Sequence, residues 1–198
     1  MEYHPRYKNN NKQRLSLPVS SISPLPEPLE QRCAQIELLL SDVDGVLTDG
    51  GVVFDYQGIE IKRFHIRDGL GIKLWQRAGY RFGLITGRAS HIVRLRASEL
   101  GIEIVRQGVE DKWPAVQQIL SELHLSPHQL CYVGDDLPDL PVMLQAGLGV
   151  AVADAAGDVC RAASYVTRTP GGTGAIRETI ELILKCQGRW DDLIKKYK

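Results

Sequence analysis

From Glu37 onward, short apolar runs alternate with stretches whose apolar residues recur at helical spacing. The runs are ELLLSD, YRFGLIT, IEIV, LCYVGD, LGVAV and SYVT, each of strand length. Between them, Leu70, Ile72, Leu74 and Trp75 precede the helix-ending Gly79, and Ile92, Val93, Leu95 and Leu100 recur before Gly101. Trp113, Val116, Ile119, Leu120 and Leu123 share a third helical face. Strands alternating with helices predict an α/β chain, and right-handed crossovers place the helices on both faces of a doubly wound, Rossmann-like parallel sheet. In such a sheet the ligand crevice lies beyond the carboxyl ends of the strands. Residues 51–65, GVVFDYQGIEIKRFH, break the rhythm: they alternate around Tyr56-Gln57-Gly58 as a β-hairpin projecting from the main sheet.

The rest of the chain narrows the function classes. Five prolines among polar residues before position 29 predict a flexible N-terminal arm over residues 1–28, leaving one domain over 29–198. Twenty-four basic residues balance twenty-four acidic ones, so no charge excess draws the chain to nucleic acid or a membrane surface. No run reaches the length of a membrane span, and the N-terminus lacks the apolar stretch of a secretory signal. Cys33, Cys131, Cys160 and Cys186 stand far apart and read as reduced thiols of a cytoplasmic protein. A small molecule is the expected partner.

The chemistry sits where strands end. Asp42-Val43-Asp44 closes the first run, and two carboxylates two apart cannot both be buried there without a partner, so they face the crevice. Thr86-Gly87-Arg88 closes the second, offering a hydroxyl, an open backbone and a helix N-terminus suited to an anion. Asp135, Asp136 and Asp139 follow the fourth, with Pro138 in a first helical turn. Asp42, Asp44, Asp135 and Asp136 would then meet at one end of one sheet, and crowded carboxylates repel unless a cation joins them. A hard divalent ion, best Mg²⁺, resolves the conflict, because it takes one or two carboxylates and bridges to a phosphate. Lys112 adds the fixed positive charge that a phosphoryl site needs.

The ordered set D-V-D-G-V-L-T-D, I-T-G-R, E-D-K and G-D-D-L-P-D resembles the four motifs of the haloacid dehalogenase superfamily. H-I-R-D-G at 65–69, V-A-V-A-D-A at 150–155 and G-G-T-G-A-I-R-E at 171–178 narrow the resemblance to the 3-deoxy-D-manno-octulosonate 8-phosphate phosphatase family. That resemblance implies a haloacid dehalogenase fold without a cap domain and a Mg²⁺-dependent phosphomonoesterase acting on a sugar acid phosphate. By it, Asp42 is the nucleophile and Asp44 the general acid and base, while Thr86 and Lys112 complete the catalytic set. Mg²⁺ would bind the Asp42 carboxylate, the Asp44 backbone carbonyl and Asp135, with Asp136 and Asp139 supporting these ligands from behind. Asp44, His65, Ile66, Arg67, Asp68, Gly69, Lys73, Gly87, Arg88, Arg96 and Lys112 would line the substrate side. The resemblance further implies a homotetramer whose glycine loop, Gly171, Gly172, Thr173 and Gly174, enters a neighbouring subunit's site.

Two details bear on the substrate. Thr173 stands where many relatives carry Arg, and Glu99 is expected to face Arg88 across the pocket rim. Relatives acting on nine-carbon sugar acids bear an acid at the Arg88 position, so Arg88 favours the eight-carbon acid. The alternatives are a nine-carbon sugar acid 9-phosphate phosphatase and a catalytically silent assembly module. A signalling receiver domain also uses acidic residues, Thr and Lys, but it places its acidic pair before its lone phosphorylated Asp, the reverse of the order here.

Overall fold

A computed structural model describes residues 28–198, so the arm expected over residues 1–28 lies, except for Pro28, outside the described residues. The elements run α1 Leu29–Gln35, β1 Leu38–Ser41, β2 Val53–Phe54, β3 Glu60–Ile61, α2 Ile66–Arg77, β4 Arg81–Thr86, α3 His91–Leu100 and β5 Ile104–Gln107. They continue with α4 Lys112–Leu123, β6 Leu130–Gly134, α5 Leu140–Met143, β7 Leu148–Ala151, α6 Gly157–Ala162, β8 Tyr165–Val166, α7 Ala175–Cys186 and α8 Trp190–Ile194.

Six strands form one sheet in the order β5-β4-β1-β6-β7-β8, and every adjacent pair is parallel. The chain therefore builds outward from β1 on one side, then returns to build from β6 on the other. The reversal opens a crevice at the carboxyl end of β1, the doubly wound arrangement expected from the sequence.

Alternation along the strands splits the core into two layers. Leu39, Leu84, Cys131, Val133, Leu148 and Val150 point toward α1, α2, α3 and α7, where Trp75, Val93, Ile176, Ile180 and Ile183 are buried. Leu38, Leu40, Ile85, Leu130 and Tyr132 point the other way, onto Val116, Ile119 and Leu120 of α4 and Val142 of α5. Two positions depart from the expected helical faces, since Leu70 and Leu95 are 38% and 57% exposed.

The projecting hairpin is present, but its ladder is shorter than the 51–65 pattern implies: β2 and β3 pair antiparallel over two residues each. The Asp55 carboxylate accepts the N–H groups of Gln57 and Ile59, and Gly58 takes a positive φ of 78°, so the turn chemistry consumes the middle of the segment. Apart from this hairpin, no sheet or helix lies between β1 and α2, and β5 and β6 are separated only by α4 and one 3₁₀ turn. No helix among the described residues is long and apolar enough to cross a membrane.

Candidate active site

Register brings the site together. Ser41 pairs level with Leu84 on one side and Val133 on the other, so Asp42, Thr86 and Asp135 leave their strands at the same end of the sheet. The Asp42 N–H donates to Val133 O at 3.0 Å and extends the ladder by one residue. Its carboxylate accepts the Val43 N–H at 2.6 Å through Oδ1, while Oδ2 lies 3.0 Å from Lys112 Nζ. Lys112, the first residue of α4, is 3% exposed and reaches Asp139 Oδ1 at 2.7 Å as well.

Asp139 organises the loop after β6. Its Oδ1 also accepts the Tyr132 hydroxyl at 2.8 Å, and its Oδ2 accepts the N–H groups of Asp135 at 3.0 Å and Asp136 at 3.3 Å. This approach requires a glycine, because a Cβ on Gly134 would lie 2.4 Å from that of Asp139. Gly45 meets a similar demand across the crevice. It has a φ of +92°, and a Cβ there would lie 2.0 Å from Asp135 Oδ2.

Asp42, Asp135 and Asp139 present oxygens all within 4.8 Å of one another. Burial, reinforced by repulsion from Asp139, pushes the Asp42 carboxyl up to about 6 even with Lys112 beside it. Burial and repulsion from Asp139 and Asp42 push Asp135 up to about 7. Lys112 loses solvation on burial, but the facing carboxylates outweigh this and hold its ammonium above the ordinary lysine range. One lysine against three carboxylates leaves uncompensated negative charge, and Asp135 Oδ1 is buried without a hydrogen-bond partner. A hard cation fits that orphaned oxygen, and oxygen donors of this kind suit Mg²⁺.

The second acid of the D-x-D pair turns elsewhere. Asp44 Oδ1 hydrogen-bonds Lys62 Nζ, and Oδ2 lies 3.9 Å from Arg88 Nε. Arg88 is held in turn by Glu60 of the hairpin, at 2.9 Å. Thr86 Oγ1 accepts the Arg88 N–H at 3.3 Å, and Gly87 is exposed, with Val109 O 3.7 Å from where a Cβ would stand. The mouth of the crevice thus carries a hydroxyl, a free backbone turn and a guanidinium opposite the acidic cluster.

Residues 89–178 match the family of haloacid dehalogenase-like hydrolases. The 3-deoxy-D-manno-octulosonate 8-phosphate phosphatase KdsC of Yersinia pestis is 45% identical over 166 residues, which cover 84% of this chain and 89% of that protein. The chain belongs to the 3-deoxy-D-manno-octulosonate 8-phosphate phosphatase family. A crystal structure from Yersinia pestis with that name superposes at a TM-score of 0.81 and 46% identity, covering 82% of this chain and 88% of that one. Another family member, from Moraxella catarrhalis, was solved with magnesium, phosphate and KDO; it gives a TM-score of 0.84 at 38% identity, covering 85% and 97%.

Within this family fold, several residues sit differently from expectation. The close carboxylates are Asp42, Asp135 and Asp139, whereas the Asp44 side chain is drawn off by Lys62. Asp136 is exposed and caps the 3₁₀ turn over Leu137–Asp139 by accepting the Leu137 N–H at 2.8 Å. His65, Asp68, Gly69 and Arg96 line a separate hollow with Leu47, Phe64 and Leu100 rather than the Asp42 cluster. Asp68 is buried and accepts the Arg177 N–H at the start of α7 at 2.8 Å, which satisfies one of that helix's free donors. Lys73 points at Gly101, the carboxyl end of α3, while Ile66 and Arg67 are exposed on the first turn of α2.

Glu99 does not face Arg88; it pairs with Arg96 at 2.7 Å, one turn away on α3, because i,i+3 neighbours meet on a helix surface. The glycine loop also folds onto its own chain instead of reaching outward. Gly171 donates to Asp154 Oδ1 and Gly172 to Val46 O, and a Cβ on either would strike the backbone of Gly45 or Thr48. Only Thr173 of that loop is exposed.

Lys62, Glu60, Ser90 and Tyr132 were not legible as site residues. The first two fall within a segment whose alternation reads as hairpin, and Tyr132 sits inside an apolar run that reads as strand.

Proposed function

We propose that this chain is the Mg²⁺-dependent phosphatase that releases phosphate and the free sugar acid from 3-deoxy-D-manno-octulosonate 8-phosphate, through phosphorylation of Asp42. The observation that carries the reading is the cluster of buried Asp139 with part-buried Asp42 and Asp135 beside Lys112, with one Asp135 oxygen left for a cation. Family membership and the KDO-bound relative favour the eight-carbon acid, as does Arg88 at the crevice mouth.

In this reading Asp42 attacks phosphorus, Asp44 gives a proton to the departing sugar oxygen, and Asp44 then takes a proton from the water that opens the phosphorylated Asp42. Thr86 and the Gly87 N–H hold phosphoryl oxygens, and Lys112 fixes the Asp42 carboxylate and offsets charge on the transferring group. Mg²⁺, held by Asp42, Asp135 and the Asp44 carbonyl, would neutralise charge shared between nucleophile and phosphate. Phosphate monoesters resist hydrolysis strongly, so two displacements with a stored phosphoryl group lower each barrier.

The test is phosphate release by purified protein from the eight-carbon substrate and from a nine-carbon sugar acid 9-phosphate, with and without Mg²⁺. We expect kcat/KM to favour the eight-carbon acid, and Asp42→Asn to lose at least ~10³-fold of kcat. Retained turnover in Asp42→Asn would remove the nucleophile assignment.

We further propose that the chain works as a homotetramer in the cytoplasm. What favours assembly is the apolar outer face of the hairpin: Ile59 and the directly paired Val53 and Ile61 are each half exposed or more, and Ile66 on the first turn of α2 is 77% exposed. Arg67, Thr173 and the His65 hollow are then candidates to meet a neighbour's crevice. The reduced state of all four cysteines suits a cytoplasmic setting.

A further inference from the structure

A strand two residues long would not ordinarily carry both an outer and an inner task, yet β3 and its flanks alternate strictly. Ile59 and Ile61 are 57% and 51% exposed, while Glu60 and Lys62 between and beyond them turn toward the crevice. The Lys62 side chain is 2% exposed, and an ammonium so buried needs partners. It has two, for Nζ hydrogen-bonds Asp44 Oδ1 and lies 3.2 Å from Glu60 Oε1. Glu60 is anchored in turn by Arg88 Nη2 at 2.9 Å and Ser90 Oγ at 2.6 Å. The Ser90 N–H donates to Gln107 Oε1 at 2.5 Å, which ties the network to the end of β5.

We propose that Lys62 is a positioning residue for proton delivery by Asp44, with Glu60 as its anchor. The inference rests on the phosphatase reading above. As the bond from Asp42 to phosphorus forms, the bond from phosphorus to the sugar oxygen breaks and its electron pair stays on that oxygen. The Asp44 proton moves onto the same oxygen, leaving Asp44 a carboxylate. Lys62 holds Asp44 Oδ1 from the hairpin side, so the carboxyl is fixed in place before the proton moves. A carboxyl already oriented toward the departing oxygen needs no reorganisation at the moment of transfer, and one that swings freely loses that advantage.

The experiment compares two leaving groups. A sugar alkoxide needs the Asp44 proton; p-nitrophenolate departs without one. kcat/KM covers only the steps through departure of the leaving group, so later opening of phosphorylated Asp42 does not enter. For Lys62→Met we expect kcat/KM on the sugar acid phosphate to fall on the order of 100-fold further than on p-nitrophenyl phosphate, with Lys62→Arg recovering most of that gap. Should Lys62→Met not fold, Glu60→Gln is expected to show a smaller gap of the same sign. An equal loss on both substrates, or no loss on either, overturns the proposal and leaves Lys62 a structural ion pair. A wild-type protein that releases phosphate from neither substrate overturns the phosphatase reading itself, and this inference with it.

Discussion

Asp139 shows how much one carboxylate can carry when all its lone pairs are used. It accepts from Lys112, the Tyr132 hydroxyl and two backbone N–H groups while fully buried. Asp139→Asn replaces one acceptor oxygen by an NH₂, so either Lys112 and Tyr132 or the Asp135 and Asp136 N–H groups face a donor. We expect a loss of about 3 kcal/mol in urea unfolding, together with weakened turnover, since Lys112 and the Asp135 loop both lean on it. An unchanged midpoint would mean that the loop holds itself without the carboxylate. Asp68 makes the opposite case, a buried acid with one oxygen bonded and the other unpartnered. Burial raises its carboxyl from 3.8 to about 6, only partly countered by the Arg177 N–H. The folded state therefore binds this proton more tightly than the unfolded chain does. The associated stability is complete below the unfolded value, drains away as pH climbs through about 6, and amounts to on the order of 3 kcal/mol. Asp68→Asn keeps the bonded oxygen and removes the charge, so its melting temperature should gain on wild type at about pH 8 and not at about pH 4. A gain independent of pH would show that the ionised carboxyl costs nothing in the fold. Neither environment can be read in advance: D-L-P-D and H-I-R-D-G place an acid near a helix start, and only tertiary packing decides that one saturates its lone pairs and the other strands one.

At the scale of elements, legibility followed periodicity. The six main strands and the helices α2, α3 and α4 stand where short apolar runs and helical spacing put them, because the inner strands are buried on both faces and each helix buries an apolar face. Segments whose position depends on distant partners did not announce themselves. The seven-residue α1 rests on α7, where Gln187 Nε2 donates to the carbonyls of Cys33 and Ile36 at 3.1 and 2.9 Å, a contact across most of the chain. The glycine loop is another such segment. The family resemblance implies a loop that enters a neighbouring subunit, yet Gly171 and Gly172 are required for close packing against the loop that carries Asp42 and Asp44. The hairpin holds the sharpest test, since its outer residues are half exposed while its inner ones reach the crevice. A charge on the outer face, in Val53→Glu or Ile61→Glu, falls outside both core layers and should leave a folded monomer by sedimentation equilibrium. If that face is an assembly surface, wild type sediments as a larger species, and burying an unpaired carboxylate there opposes association by several kcal/mol. Wild type and variants that all sediment as monomers would reject the tetramer.

For the whole molecule, the strand order decides which residues can meet. β1 lies central, with β4 on one flank and β6 on the other, so the ends of three strands distant in sequence converge on one crevice. Acidic residues at the ends of β1 and β6 cannot avoid one another, and the fold bears that repulsion in order to hold a cation. The consequence is thermodynamic linkage between metal and fold: a cation that binds only the native crevice stabilises it by RT ln(1 + [Mg²⁺]/Kd), about 2.7 kcal/mol at 100 Kd. For a chain of this size that corresponds to a rise of roughly 5–10 °C in melting temperature, saturable in Mg²⁺ and reversed by a chelator. Asp135→Asn should lose the rise. In the absence of metal the same variant should melt at or above wild type, because it removes a charge that repels Asp42 and Asp139 and fills the orphaned position with a neutral group. A wild-type melting curve indifferent to Mg²⁺, or an Asp135→Asn that keeps the full response, would locate the metal outside this crevice. It would also leave the crowding of Asp42, Asp135 and Asp139 without a physical purpose.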